Sequence, residues 1–456
     1  MFNAPEKLPP IDEATQALFD QGHEVGDFAK KLYPVGVEVP FGKNSVKITE
    51  DLLGKRVPIF EASFAYKNAY CKTDILVPVD KDEWDLIEVK SSSSVKEEHI
   101  ADTAFQLYCL AGAGLKIRRI HLMHINNEYV RHGSIDPKKL FTAQDITPEA
   151  TEILPTIEDK IGEQLAIIQG PMPEPALGTE CLAPKDCPVH SADLPEVLEL
   201  YRIGKKAYEL TEQGIKLIQD IPTDFELNDK QRIQRDAAVT GKAHIEPAQI
   251  KKFLKELKYP LYLLDFEAVN PAIPLFDGTS PFQAIPFQLS LHIVEKPATK
   301  PKHVEFLADG PEDPRSGIVE ALKAIGPKGT ILAYNMSYEK RVIEDLAEAF
   351  PKQKHLKPLI ERFNDPIIPF RNFWYYDPQQ HGSNSIKAVL PALTGRSYAH
   401  LEVSTGDEAA RKFLQMTYKG KQMSAGEKAA LRKALLIYCK QDTEAMIEIL
   451  GVLEKV

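Results

Sequence analysis

Cysteine is scarce in this sequence. Only 5 of the 456 residues are cysteines, and they are scattered along the chain. An odd, scattered set argues against a disulfide framework and fits a reducing compartment. The sequence also lacks any apolar run near the roughly 18 residues of a membrane-spanning helix, and its start has no apolar segment after a basic stretch. We therefore expect a cytoplasmic protein without a membrane span.

A net positive charge is also missing, because the formal net charge at pH 7 is −10. Proteins that bind nucleic acid along its backbone usually leave a basic footprint, so this balance argues against a purely electrostatic binder. It leaves room for an enzyme that concentrates carboxylates at a metal site and contacts phosphates locally. The sequence shows no internal repeat, glycine-rich nucleotide loop or nucleophile elbow.

The length and the 43% hydrophobic content predict a globular α/β (α+β) protein of more than one domain. We place an N-terminal domain at residues 1–170, a linker and helical connector at 171–258, and a C-terminal domain at 259–456. The segment 171–175 contains three prolines and marks the first boundary. Within the connector, the pattern predicts helices at 194–219 and 228–240.

Two carboxylates end a hydrophobic strand in the C-terminal domain. Side chains alternate along a strand, so Asp265 and Glu267 in segment 262–267 project from one face. Two close carboxylates repel each other unless a cation lies between them, and a divalent metal is the usual solution. The alternative is a strand that runs out into a solvated loop.

Further acidic residues follow later in the chain. Glu339 lies in the first turn of a predicted helix that follows a strand ending at Asn335, and Ser337 is a candidate N-cap of that helix. Tyr438 and Asp442 are four residues apart on a helix predicted over 425–450, and therefore share one face. A tyrosine beside a metal-binding aspartate can orient an attacking water.

These three patterns, Asp-x-Glu, Asn-x-x-Tyr-acid and Tyr-x-x-x-Asp, resemble the DEDD-type 3′–5′ exonucleases of the ribonuclease H-like superfamily. The resemblance implies a mixed sheet in which Asp265, Glu267, Glu339 and Asp442 hold a metal and Tyr438 orients water. Glu339 departs from the family, which usually has aspartate at that place. Strands predicted at 282–294 and 303–307, followed by a helix at 318–325, suit such a sheet.

The N-terminal domain contains a second acidic set. Strands predicted at 59–66, 71–79 and 84–90 form an antiparallel meander, with Asp74 on the second strand and Glu88 and Lys90 on one face of the third. Two carboxylates can hold Mg²⁺, and the lysine can position the attacking water. The alternative is an exposed cross-strand salt bridge.

An aspartate followed by Glu-Val-Lys at the end of a strand resembles the PD-(D/E)XK nuclease core. Members of the RecB type also have a glutamine and a tyrosine on the next helix, predicted here at 97–113, and a histidine upstream. The resemblance implies roles for Gln106 and for His23 as a metal ligand, whereas Tyr108 follows Gln106 more closely than the family pattern. Glu61 is a further candidate for this site, or an ordinary edge-strand glutamate.

RecB-type nucleases often close their domain with cysteines that hold an iron–sulfur cluster. This sequence has only Cys181 and Cys187 in that region, and we expect it to start later than such proteins usually do, without the segment that carries the first cluster cysteine. We therefore expect a degenerate cluster site without iron–sulfur, the alternative being a zinc site that uses His190.

The resemblance covers most of the chain and is to a bacterial family that fuses a RecB-like PD-(D/E)XK nuclease to a ribonuclease H-like exonuclease. It implies hydrolysis of phosphodiester bonds in DNA, or RNA at the second site, with Mg²⁺ or Mn²⁺. The alternative is a nucleic-acid-binding scaffold in which one or both sites are inactive.

Overall fold

In the computed structural model, residues 10–171, 177–179, 181, 187, 194–418 and 423–456 are described. The chain divides into two compact units, of which the first comprises Met1–Pro175 with Asn270–Gln283 and the second the remainder. Both units are mixed α/β. None of the helices among the described residues combines the length and apolarity needed to cross a membrane.

The first unit is built on a six-stranded sheet whose spatial order follows the chain. Its first and fourth pairings are parallel and the other three are antiparallel. The strands are β1 (Val37–Glu38), β2 (Ile59–Tyr66), β3 (Ala69–Pro78), β4 (Glu83–Lys90), β5 (Lys116–Ile125) and β6 (Phe141–Asp145). The helices are α1 (Glu13–Lys30), α2 (Ser45–Leu53), α3 (Glu97–Gly112), α4 (Pro137–Leu140), α5 (Thr147–Ile153) and α6 (Ile157–Gln169). The predicted meander and the helix after it are confirmed.

Helix α3 connects the parallel strands β4 and β5 and places polar residues beside the sheet. Its apolar side contributes the fully buried Leu110 and Ala104 to the core. Its buried residues also include Gln106 and His99, seven positions apart. Because residues about seven apart lie on one helix face, these two side chains are turned to the same side.

A segment distant in sequence completes the first unit. Residues 270–283 contribute Ala272 and Ile273 to a core cluster of that unit. Arg131 donates from Nη1 to the carbonyl oxygens of Pro274 and Leu275 at 2.9 and 2.7 Å. The sequence pattern alone did not indicate that residues 270–283, from the C-terminal half of the chain, belong to the first unit.

The second unit is built on a five-stranded sheet of order β10-β9-β8-β11-β12. Strands β8, β9 and β10 form an antiparallel meander, and strands β11 and β12 run parallel to the central strand β8. The strands of the unit are β7 (His244–Ile245), β8 (Leu261–Val269), β9 (Ile285–Val294), β10 (Lys302–Leu307), β11 (Thr330–Leu332), β12 (Phe363–Asn364) and β13 (Tyr375–Tyr376). Strands β7 and β13 form a separate antiparallel pair.

Helices cover both faces of this sheet. Phe266 and Leu264 of β8 pack with α10 and α11 in one cluster, whereas Leu263 and Leu261 pack with the last helix in another. The helices are α7 (Lys206–Glu212), α8 (Asp229–Thr240), α9 (Pro247–Glu256), α10 (Arg315–Ala321), α11 (Ser337–Ala349), α12 (Lys357–Ile360), α13 (Ile368–Arg371), α14 (Ile386–Thr394), α15 (Gly406–Tyr418) and α16 (Ala425–Leu453). Odd-numbered residues of β8 therefore face α16.

The long helix predicted at 194–219 is wrong. That segment holds only short 3₁₀ turns and α7, because Arg202, Gly204 and Gly214 have φ values of 53°, 58° and 80°, in the left-handed region that a right-handed helix excludes. The next predicted helix, 228–240, is confirmed as α8. Asn228 caps it, since its side chain accepts a hydrogen bond from the Gln231 N–H at 3.0 Å.

Candidate functional site

Asp265 and Glu267 lie on the central strand of the second unit's sheet, facing α16. Oxygens of the two carboxylates and the Sγ atom of Cys439 all lie within 4.8 Å of one another. The strand pairs Asp265 with Ser290 and Glu267 with Gln288 on β9. The prediction that both carboxylates project from one face of a strand is therefore confirmed.

Helix α16 is held against this face by buried polar contacts to β9. Gln288 donates from Nε2 to the carbonyl oxygen of Leu435 at 2.8 Å. The hydroxyl of Thr443, which is fully buried, lies 2.8 Å from both Ser290 Oγ and His292 Nδ1. Such bonds fix the rotation of the helix about its axis, so that Tyr438, Cys439 and Asp442 are turned toward the strand.

Asp442 is held by a tyrosine from a different segment. The hydroxyl of Tyr398 donates to Asp442 Oδ1 at 2.6 Å, and both residues are buried. The ring of Tyr398 meets that of Tyr438 edge to face at 6.3 Å. The Nζ atom of Lys387, on α14, lies 5.6 and 5.4 Å from the centres of the two rings. Two tyrosines and a lysine thus border the carboxylates.

Glu339 is positioned by the turn between β11 and α11. The turn places Asn335 at φ 63°, which ends the strand at Leu332, earlier than predicted. Asp365 holds this turn, accepting hydrogen bonds from the N–H groups of Asn335 and Met336 at 2.9 and 3.2 Å. Ser337 is consequently the first residue of α11, and the prediction that it caps the helix is wrong.

The Oε2 atom of Glu339 is buried and has no hydrogen-bond partner among the described residues. Burial, together with the charges of Asp365 and Asp442, raises the pKa of Glu339 to about 8. Burial likewise raises the pKa of Asp442 to about 6, although the Tyr398 hydroxyl and Lys387 act in the opposite direction. The carboxylates therefore resist ionisation in the absence of a cation.

Asp265 and Glu267 are subject to the same forces. Burial, and then the charge of Asp442, raises the pKa of each carboxyl well above its ordinary value. For Asp265 the next contributions come from Glu267 and Glu339. The four acidic side chains are therefore close enough to repel one another, which is the condition that a bound divalent cation relieves.

Tyr438 and Tyr338 border the same carboxylates. Burial and the charges of Asp442 and Glu267 raise the pKa of Tyr438, so its hydroxyl keeps its proton at neutral pH. Tyr338 is 38% exposed, and its pKa is raised by burial and by Glu267. A protonated tyrosine beside a carboxylate cluster can donate a hydrogen bond to a water or a phosphate oxygen.

In the first unit, Glu88 accepts two hydrogen bonds, one on each carboxylate oxygen. Lys90 Nζ donates to Oε1 at 2.7 Å, and Gln106 Nε2 donates to Oε2 at 2.9 Å. The same lysine donates to Asp102 Oδ2 at 2.7 Å. The Oε1 atom of Gln106 is buried without a partner in the described residues. Lys90 therefore already supplies one positive charge to this cluster.

Asp74 adds a second, half-buried carboxylate here. Its Oδ2 atom accepts a hydrogen bond from the Val89 N–H at 2.7 Å, directly beside Glu88. Burial raises the pKa of Asp74 to about 6, although the Val89 bond opposes the rise. Burial and the charge of Asp74 raise the pKa of Glu88 as well. The carboxylates of β3 and β4 are thus close enough to interact.

The other residues predicted for this site differ in their placement. Glu61 faces Asp74 across an irregularity between β2 and β3, and Lys72 and Lys30 hold the pKa of Glu61 below its usual value against the effect of burial. His23 lies at an exposed position of α1, and no described hydrogen bond or ion pair joins it to the cluster. Tyr108 packs edge to face on Tyr66 at 5.2 Å instead.

The cysteines of the connector are free thiols. Cys181 and Cys187 are half-buried, and the Tyr208 hydroxyl donates to the Cys181 carbonyl oxygen at 2.8 Å. His190, the candidate zinc ligand, lies outside the described residues. Ser385 stands at the N-cap of α14, but its side chain makes no capping hydrogen bond.

Several site residues were not predicted. Cys439 was missed, although it lies three residues before the predicted Asp442 on one helix, a spacing that could have indicated a shared face. His99 precedes Asp102 by three residues in the same way. Tyr398 and Lys387 gave no such signal, because their segments approach the carboxylates only through the tertiary fold.

Comparison with known protein families gives one match. A family model described as a domain of unknown function (DUF2779) matches residues 262–385. This segment includes Asp265, Glu267 and Glu339 but ends before α16. No curated protein and no solved structure matches the chain.

Proposed function

We propose that the chain is a metal-dependent nuclease that hydrolyses phosphodiester bonds at two acidic sites, one in each unit. The observation that carries the proposal is the unpartnered Glu339 Oε2 atom, buried beside carboxylates whose pKa values are raised. A buried acceptor without a donor is costly and is seldom retained without a function. A divalent cation would satisfy the oxygen and reduce the repulsion at once.

The sheet of the second unit supports a ribonuclease H-like assignment. An antiparallel meander followed by two strands parallel to its first strand is the arrangement expected for that superfamily, and the acidic pair lies on the central strand. The donor set is composed mainly of carboxylate oxygens, which Mg²⁺ and Mn²⁺ prefer. Asp265, Glu267, Glu339 and Asp442 would hold the cation.

A bound cation in such a site activates water and neutralises charge on the phosphate. The side chains around it have separate tasks. Tyr398 keeps Asp442 in one orientation through its 2.6 Å hydrogen bond. Tyr438 remains protonated and can orient the attacking water. Lys387 brings the positive charge that the cluster otherwise lacks and can attract a phosphate oxygen.

The first unit supports a PD-(D/E)XK assignment, with a RecB-like arrangement of its residues. Asp74 and Glu88 come from neighbouring antiparallel strands, and Lys90 and Gln106 both donate to Glu88. The unpartnered Gln106 Oε1 atom fits a polar ligand at this place. Asp74 and Glu88 would hold the cation, and Lys90 would position the water.

The test is digestion of end-labelled single- and double-stranded DNA and RNA with Mg²⁺, Mn²⁺ or EDTA. Metal-dependent cleavage, with DNA preferred to RNA, is the expected result. Wild-type protein is compared with Asp265→Asn and Glu88→Gln, which keep side-chain shape and remove one charge. Binding of nucleic acid without cleavage under every condition would replace the proposal by a scaffold with inactive sites.

A further inference from the structure

The C-terminal site contains a thiol that a magnesium centre does not need. Cys439 is fully buried, and its Sγ atom lies 3.3 Å from Asp265 Oδ2. Together with an oxygen of Glu267, these atoms lie within 4.8 Å of one another. Ligand atoms of a single ion are typically separated by roughly 3 to 4.5 Å. The three side chains are thus close to the spacing of a shared ligand set.

We propose that Cys439 completes this site as a thiolate ligand, so that the centre takes a borderline divalent cation such as Zn²⁺, Co²⁺ or Fe²⁺ in preference to Mg²⁺. This inference rests on the proposal that the C-terminal carboxylates hold a divalent cation. Thiolate sulfur favours such ions, whereas Mg²⁺ requires oxygen ligands. When the ion binds, the thiol proton is released to solvent.

A second observation points to the same place. Glu339 Oε2 is buried without a partner, and the charge of Glu339 acts on both Asp265 and Glu267. An unsatisfied buried acceptor therefore lies near enough to Asp265 and Glu267 for its charge to act on both carboxyl groups. The hydrogen bonds that join α16 to β9 fix the helix that carries Cys439. The sulfur is accordingly preorganised beside the carboxylates.

The competing explanation is that the Cys439 thiol only donates a hydrogen bond to Asp265. The two roles predict different results when serine replaces Cys439. A serine hydroxyl donates the same bond but is a poor ligand for borderline ions. If cysteine is a ligand, Cys439→Ser and Cys439→Ala should both weaken binding of Co²⁺. If it is only a donor, the serine variant should bind Co²⁺ like the parent.

The experiment is a Co²⁺ titration of the full chain after treatment with EDTA. Cys181 and Cys187 are first replaced by serine, because these half-buried thiols could bind Co²⁺ themselves. We expect a sulfur-to-cobalt charge-transfer band in the near ultraviolet, its loss in Cys439→Ser, and a decrease in Co²⁺ affinity of roughly 10-fold or more. Cys109→Ala, which removes a buried thiol of the first unit, is the matched control and should keep the band.

Other outcomes separate this inference from the proposed function. Stabilisation by Co²⁺ or Mn²⁺ without a charge-transfer band in the parent would overturn the thiolate ligand and leave the carboxylate site standing. Absence of any stabilisation or cleavage with all cations would overturn both. X-ray absorption at the cobalt edge of the parent detects or excludes a sulfur ligand directly, so the inference is decided even where a Cys439 variant does not fold.

Discussion

Replacing Glu339 by glutamine should stabilise the cation-free second unit at neutral and alkaline pH. Glutamine keeps the shape of glutamate and removes its charge. Residue Glu339 is only 5% exposed, and burial raises the pKa of its carboxyl group from 4.5 to about 8. The unfolded chain therefore releases this proton at lower pH than the folded protein does. Stability from this group is complete below about pH 4.5 and is lost as pH rises toward 8.

The size of the effect follows from the pKa shift. A rise from 4.5 to about 8 corresponds to an upper limit of roughly 5 kcal/mol above pH 8. Part of this gain is offset, because a buried glutamine must also find hydrogen-bond partners, at a cost of about 1–3 kcal/mol. Asp365 and Asp442 are the two groups whose charges act on Glu339, and the substitution leaves both of them in place. We therefore expect a net gain of about 2 kcal/mol near pH 8 and no gain, or a loss of about 1 kcal/mol, near pH 5.

The two tryptophans of the chain make the assay specific for the second unit. Trp84 belongs to the first unit and Trp374 to the second. In a Trp84→Phe background, fluorescence during urea unfolding reports on the unit that contains Glu339. Unfolding is measured with EDTA at about pH 5 and about pH 8, and again with Mn²⁺. The matched control is Glu344→Gln, at an exposed position of the same helix.

Added Mn²⁺ should make wild type more stable than Glu339→Gln, the reverse of the order expected with EDTA. Wild type gains stability from a bound ion, whereas Glu339→Gln has lost one anionic ligand and gains less. Equal free energies of unfolding for wild type and Glu339→Gln at both pH values with EDTA would refute the electrostatic reasoning. An equal response of Glu344→Gln would show that the effect is one of general charge and not of the buried cluster.

Four further substitutions test the division of labour. Tyr438→Phe should lower turnover at the C-terminal site by roughly 10²-fold while the rise in melting temperature with metal is retained; an unchanged exonuclease rate would remove Tyr438 from the mechanism. Tyr398→Phe deletes the bond to Asp442 and should weaken cation binding roughly 10-fold, which titration followed by melting temperature measures. Glu88→Ala and Asp265→Ala should remove separable activities, and loss of every activity from either folded variant would indicate a single composite site.

Sequence patterns predicted correctly the strands and helices whose bounds depend on interactions between residues near in sequence. Strand β2 occupies 59–66 as predicted, because its apolar and aromatic residues suit a pleated, largely buried surface. Helix α16 begins at the predicted residue, Ala425, since Ser424 and Glu427 form a capping box before it. The connector helix at 194–219 was predicted wrongly, because periodicity carries no information on the backbone angles of Arg202 and its neighbouring glycines.

At the candidate sites, the sequence predicted the geometry within one strand but not the contacts between distant segments. The shared face of Asp265 and Glu267 follows from strand geometry alone, and the sequence was sufficient for it. Tyr398 reaches Asp442 across 44 positions of sequence, and Asp365 holds a turn 29 and 30 positions away. Contacts of this kind depend on how elements pack, which no single-sequence spacing encodes.

The two acidic clusters differ in the source of their positive charge. This difference predicts which cluster gains more stability from a bound divalent cation. In the first unit, Lys90 forms ion pairs with Glu88 and Asp102 at 2.7 Å, so a cation of the chain already offsets part of the repulsion. In the second unit, Lys387 lowers the pKa values of Glu267 and Asp442, but its Nζ atom lies over two tyrosine rings, and no ion pair involves Asp265, Glu267 or Asp442 within the described part of the chain. Because more of the repulsion is left there for an external cation to relieve, divalent metal should raise the melting temperature of the second unit more than that of the first.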